Sequence, residues 1–318
     1  MNNLCWQSVA VIERSVFSII NQDILKLQKN QLYSLPNFRK APALLIGSDY
    51  SGESSDYPYT VYSFLLMSNS EWAKWEPRRV EIRQKYLSDF RRMSFKNLND
   101  IHRKMALLPL LDIANSIDGI SFSVAIHKQA VSLFDGPFPL DLGNKDFAMF
   151  RKWKKSVLEK AFTAIHFIGF LLAGFCKEGQ DIYWFTDEDN IAANNQRISE
   201  LTKLFAWVSD NYLTFSLGRC YCGTSRCDNG SMQIEDLLAI PDLIAGAISE
   251  QLKLRASDPK EIPDSFFIFR PDYTEKSSII SWWFSTCNKP LKRLLFVIDP
   301  SKDHKHHLVS FYHFHSQI

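Results

Sequence analysis

The chain has 318 residues, of which 46% are apolar and 23% charged, and its net charge is +2. That length suits two average domains or one large elaborated one, and the composition is that of a globular protein without repeats or low-complexity tracts. So small a net charge excludes a global pull on nucleic acid, and any such role has to rest on local clusters.

The N-terminus, Met1 to Gln7, has no basic flank, apolar core or cleavage site, so no secretory leader is expected. The longest apolar run, Ala164 to Phe175, is interrupted by His166 and is too short to cross a bilayer, so it reads as a buried helix. Six cysteines with no leader read as reduced thiols, and a cytoplasmic location without membrane contact follows.

Apolar positions at helical spacing predict a helix over residues 5–30, within an N-terminal helical segment 1–42. Ala43 to Asp49 reads as a central strand ending in an acid, and Tyr59 to Met67 as a second strand. Residues 72–115 are basic and helical, with Lys and Arg well in excess of Asp and Glu. Ile120 to Ile126 reads as a third strand, followed by a loop holding Gly136, Pro137 and Pro139 and a long helix from about Phe147 to Phe175. Next come a strand over Ile182–Phe185, a helix over Ala192–Val208, a strand over Tyr212–Leu217, a Cys/Gly loop and a helical stretch from Ser231 to Leu254 broken at Pro241. Residues 255–318 form an extension rich in strand formers and aromatics, among them Phe266, Phe267, Phe269, Trp282 and Trp283, which read as core or as an oligomer or partner interface.

The strongest local signal is Asp181 to Asn190, where Ile182-Tyr-Trp-Phe185 runs into Asp187-Glu-Asp189. The carboxyl ends of strands in open α/β sheets are where ligands bind, and acids crowded there need a cation or a raised pKa. A lone Asp after a strand also serves as a turn or cap residue, and Pro241-Asp242 also suits the first turn of a helix.

Collapsed to elements, residues 43–254 read as strands flanking a helical insert, then alternating helices and strands. This order resembles the ribonuclease H-like fold, in which the first strand, the fourth strand and the last helix carry acids, here Asp49, Asp187 and Asp242. Phe185-Thr-Asp187 resembles the strand-end T-D of ribonucleases H. Ile234 to Ile248 resembles the Q-x-A-D-L-I-A-G-A-I helix of a large bacterial family catalogued as domain of unknown function 3800, and Ile46-Gly-Ser-Asp-Tyr-Ser-Gly52 its D-E-S-G motif. The resemblance implies an α/β fold with a mixed five-stranded sheet flanked by helices, a core over 43–254 with the basic insert 72–115, and a C-terminal extension. It further implies a nuclease in which Asp49, Asp187 and Asp242, with Glu53 and Asp189 as further ligands, hold Mg²⁺ or Mn²⁺ for phosphodiester hydrolysis of DNA or RNA, with bacterial defence as its setting.

Two positions depart from the pattern. Tyr50 stands where the family has Glu, and the Glu that ribonucleases H carry on the helix after the third strand would fall near Ile165, beside His166 and two turns from Glu159. The alternative reading is therefore a degenerate module that binds nucleic acid or a protein without cleavage. Arg78, Arg79, Arg91, Arg92 and Lys96 of the insert, with Arg151, Lys154 and Lys155 beside Trp153, are the candidate nucleic-acid contacts. Cys220, Cys222 and Cys227 lack zinc-site spacing, and in the histidine-rich end His304, His306, His307, His313 and His315, the last two are spaced to share a strand face and to pick up metal only adventitiously.

Overall fold

The structure is a computed structural model that describes residues 5–29, 34–130, 132–133, 145–257, 273–286 and 289–313. Its elements in chain order are α1 (Val16–Lys29), β1 (Ala43–Ser51), β2 (Tyr59–Ser68), α2 (Asn69–Tyr86), α3 (Ile101–Asn115), β3 (Gly119–His127), α4 (Lys155–Phe175), β4 (Asp181–Thr186), α5 (Asn195–Asp210), β5 (Cys220–Gly223), α6 (Gln233–Ser257), α7 (Glu275–Ser285), β6 (Lys292–Pro300) and β7 (His307–His313).

The strands form one sheet in the order β5-β4-β1-β2-β3-β6-β7. β1, β2 and β3 run antiparallel, whereas β4 and β5 continue parallel to β1. β6 adds parallel to β3, and β7 closes the far edge antiparallel to β6. This is an α/β protein with a mixed sheet flanked by helices, compatible with the ribonuclease H-like arrangement. Among the described residues the sheet has seven strands and not five, because the aromatic extension supplies two strands to the same sheet.

Side-chain alternation divides the molecule into two cores. On one face Leu44, Ile46, Phe64, Phe122 and Trp184 pack with residues of α1, α4 and α5. On the other, Leu45, Val61, Leu65, Phe185 and Leu295 pack with α2, α3, α6 and α7. α4 is long and apolar enough by composition to cross a membrane, but 72% of its apolar window is buried in the first core.

Several expected boundaries move for local reasons. α1 begins at Val16 and not near Cys5, because Arg14 takes φ 65° and the Ser15 hydroxyl accepts the Ser18 amide at 3.1 Å, capping the helix. Tyr212–Leu217 is not a strand: the Tyr212 hydroxyl turns inward to His166 Nδ1 at 2.6 Å, and pairing with β4 starts only at Cys220. α6 continues through Pro241, so Asp242 lies in its interior and not in a first turn. Trp282 and Trp283 are helical, the first 69% exposed and the second 2%. Phe266, Phe267, Phe269, Gly136, Pro137, Pro139, Cys287 and His315 lie outside the described residues.

Candidate active site at the carboxyl edge of the sheet

Because β1 and β4 are parallel, their carboxyl ends share one edge, which brings Ser48 opposite Thr186 and sets Asp49 and Asp187 next to each other. Alternation along β1 sends Asp49 to the same side as Leu45, the side covered by α6. α6 crosses β1 and β2 there and presents Asp242. Three acids distant in sequence thus meet electrostatically. Burial, then the carboxylates of Asp242 and Asp187, push Asp49 well above the usual carboxylate range, with Lys160 opposing them. Burial pushes Asp242 up to about 7, with Asp187 adding to the rise, while the Phe95 amide and Lys276 work against it.

A short turn of the basic insert is built into this site. The Phe95 amide donates to Asp242 Oδ2 at 2.6 Å, and Lys276 donates to the Phe95 carbonyl at 3.0 Å. Gly246 makes the approach feasible, since a Cβ there would fall 2.3 Å from Phe95 Cγ. Sequence reasoning gave Phe95 no role, because nothing local marks an aromatic that docks on a helix almost 150 residues later.

On the other face of β1 the edge has a different character. Tyr50 points towards α4, its hydroxyl 2.9 Å from Ser48 Oγ, with the Thr186 hydroxyl donating to it at 3.3 Å. Lys160 of α4 lies over the Tyr50 ring, 4.5 Å from its centroid, and pairs with both Glu53 and Asp189. Burial alone would lower the Lys160 ammonium, but Asp189 and Glu53 outweigh it and hold its pKa above the ordinary lysine value. Glu53 and Asp189, expected as metal ligands, therefore have an ammonium for a partner, and Asp189 also accepts the Ile191 amide at 2.9 Å.

The positions near which a fourth ligand was expected lie elsewhere. Ile165 is fully buried, and His166 is held against Tyr212, its pKa lowered to about 3 by burial. Glu159 faces Lys155 at 3.7 Å. Lys160, adjacent to Glu159, is the α4 residue that reaches the edge. In sequence it is one of two lysines in the first two turns of α4, with nothing local to set it apart.

The basic candidates separate into three groups. Arg79 is buried at 3% exposure and bound to Glu76 and Asp236, so it is unavailable to a nucleic acid. Arg78 donates to Ser116 at 2.8 Å ahead of β3, towards the opposite edge of the sheet, and Arg91 is tied to Asp89 and Asp100. Arg92 is beside the acids, 2.9 Å from Glu235 and 3.9 Å from Glu188, and Lys96 is exposed next to Phe95. Arg151, Lys154 and Lys155 are exposed around the start of α4. Trp153 cannot stack on a base: it is buried, donates to Glu200 at 2.6 Å and is covered by Arg197. Glu188 accepts from Ser225 and Arg226, each at 3.0 Å.

The chemistry of this donor set fits a divalent ion, because hard carboxylate oxygens repel one another at a buried edge and a cation would relieve the repulsion. It does not fit a closed protein cage. Among the described residues, no group of three His, Cys, Asp or Glu side chains is arranged to hold a metal ion. Mg²⁺ needs only one or two carboxylates where substrate oxygens complete its shell, and Asp49 with Asp187 or Asp242 offers such a partial set.

No protein-family model and no curated protein sequence matches the chain. Among solved structures, the ribonuclease H2 from Pyrococcus horikoshii OT3 is similar at 11% identity and a TM-score of 0.36, covering 75% of this chain and 97% of its own.

Proposed function

We propose that the protein is a nuclease that hydrolyses phosphodiester bonds at the carboxyl edge of its sheet with the help of a divalent ion, Mg²⁺ or Mn²⁺. The observation that carries this reading is the meeting of Asp49, Asp187 and Asp242 from separate elements, with Asp49 and Asp242 forced upward in pKa by burial and by neighbouring carboxylates. Burial and like-charge neighbours that shift acids in this way are commonly arranged at metal and catalytic sites.

In this reading Asp49 and Asp187 supply oxygen ligands, and Asp242, held in place by the Phe95 amide, completes the anionic wall. Arg92 and Lys96 line one side of the edge and orient substrate phosphates. Lys154 and Lys155, beyond Lys160 along α4, extend the basic track. When bound, the divalent ion lowers the pKa of a water and offsets charge on the phosphate. The reaction forms a bond from the water oxygen to phosphorus and breaks one ester P–O bond, with the water's proton passing to the departing oxygen through solvent. A bacterial host and a place in defence against foreign nucleic acid remain what the motif resemblance implies.

Asp187→Asn tests the reading. Cleavage of labelled DNA and RNA with Mn²⁺ is expected to fall at least ~100-fold, with no loss of melting temperature. Retained cleavage in that variant removes the assignment.

The second reading is a ribonuclease H-like module that binds nucleic acid or a protein without cleaving it, and Tyr50 with Lys160 favours it by supplying a built-in cation. Thermal melts under Mn²⁺ titration separate the two. A stabilisation that disappears in Asp49→Ala supports the enzyme, and no stabilisation in the wild type supports the binding module.

A further inference from the structure

Lys160 is the most enclosed cation at the sheet edge. Its side chain is 11% exposed and its ammonium pairs with Glu53 from the turn after β1 and Asp189 from the loop after β4, above the Tyr50 ring. Asp49 lies within reach of its field from the other face of β1. Taking an ammonium out of water costs several kcal/mol unless carboxylates compensate it closely. Here two do so directly and a third through space. The surroundings are those of a cation site, and the chain fills it with its own side chain.

Two-metal phosphodiester sites hold their ions roughly 4 Å apart, one to each side of the reacting phosphate. The β1 edge has the same two-sided layout: Asp49 with Asp242 on the α6 side, and Lys160 with Glu53 and Asp189 on the α4 side. A second divalent ion beside a fixed ammonium would meet like charge and find two of its carboxylates already engaged. An ammonium supplies positive charge and donors but leaves no open coordination position for a water.

We propose that Lys160 takes the place of a second metal ion, so that the chain binds one divalent ion, on the α6 side of the edge, and meets the substrate phosphate on the α4 side with a permanent ammonium. The inference rests on the reading of the edge as a metal-dependent site and specifies its stoichiometry.

Counting Mn²⁺ bound per full-length chain by electron paramagnetic resonance of the free ion tests it without any activity measurement. The wild type is expected to bind one ion and Asp49→Asn none. Lys160→Gln is expected to bind two, because Glu53 and Asp189 become free as ligands, and Lys160→Arg one. If Lys160→Gln does not fold, Lys160→Gln combined with Glu53→Gln removes one charge of each sign, and a second, weaker ion is expected there. Two ions on the wild type overturn the inference and leave the metal site standing. No ion on the wild type overturns the metal site itself and the inference with it. One ion on both the wild type and the folded Lys160 variants overturns the inference and leaves Lys160 as a clamp between two loops.

Discussion

At the scale of single residues, the acids at the sheet edge trade stability for local charge. Asp242 sits at about 7 when folded, against ~3.9 in an unfolded chain. The folded state therefore holds that proton more tightly. Its contribution to stability is fully present below about pH 4 and is lost as pH rises through about 7. Asp242→Asn keeps an acceptor for the Phe95 amide and removes the charge. In EDTA the variant should gain about 1–3 kcal/mol over the wild type at pH 8 and almost nothing at pH 4. Urea unfolding at the two pH values checks this, and equal stabilities at pH 8 would mean that the carboxylates are not in conflict. Part of this site was legible in sequence. Asp49 and Asp187 announced themselves as acids at strand ends, and Asp242 through the helix motif around it. Lys160 did not, because its meaning depends on Glu53 and Asp189 arriving from two other elements.

At the scale of elements, the basic insert is bound to α6 by charge in the interior. Asp236 of α6 is 2% exposed and accepts from Arg79 at 2.9 Å and from Arg83 through two bonds of 2.6 Å. Removing one member of a buried ion network leaves uncompensated charge, at a cost of about 3–5 kcal/mol. Asp236→Ala should show that loss in chemical denaturation, and a loss below about 1 kcal/mol would mean that α2 docks on α6 by apolar contact alone. The same network explains why the insert's role was only half legible. Its basic excess was plain, but its division into buried Arg79 and edge-facing Arg92 is decided by which acids α6 presents. Helix and strand order from β1 to α6 could be read because the periods of 2 and 3.6 are local. β5 could not: it is a four-residue strand, Cys220 to Gly223, whose pairing with Ile182 to Phe185 is non-local, while the better strand pattern of Tyr212 to Leu217 is used to pack against α4.

At the scale of the whole molecule, seven strands of one sheet join the region from β1 to α6 to the chain's last described strands. Parallel addition of β6 to β3 places Asp299, near the end of β6, at the same edge as the acids, where the Tyr59 hydroxyl donates to it at 2.5 Å. The extension's aromatic content was read as core or interface. Among its described aromatics, Trp283, Phe284 and Phe296 are buried in the core, whereas Trp282 remains on the surface.

α6 lies across β1 and β2, strands made about 190 residues earlier. Contacts this distant in sequence slow folding, because the intervening chain must be ordered before they form. During synthesis, Leu45, Val61 and Leu65 have only the partial cover of α2 and α3 until α6 has left the ribosome. The acidic edge lacks Asp242 in any shorter nascent chain, so maturation of the site awaits the late docking of α6, and the interval before it is when the chain is most open to aggregation.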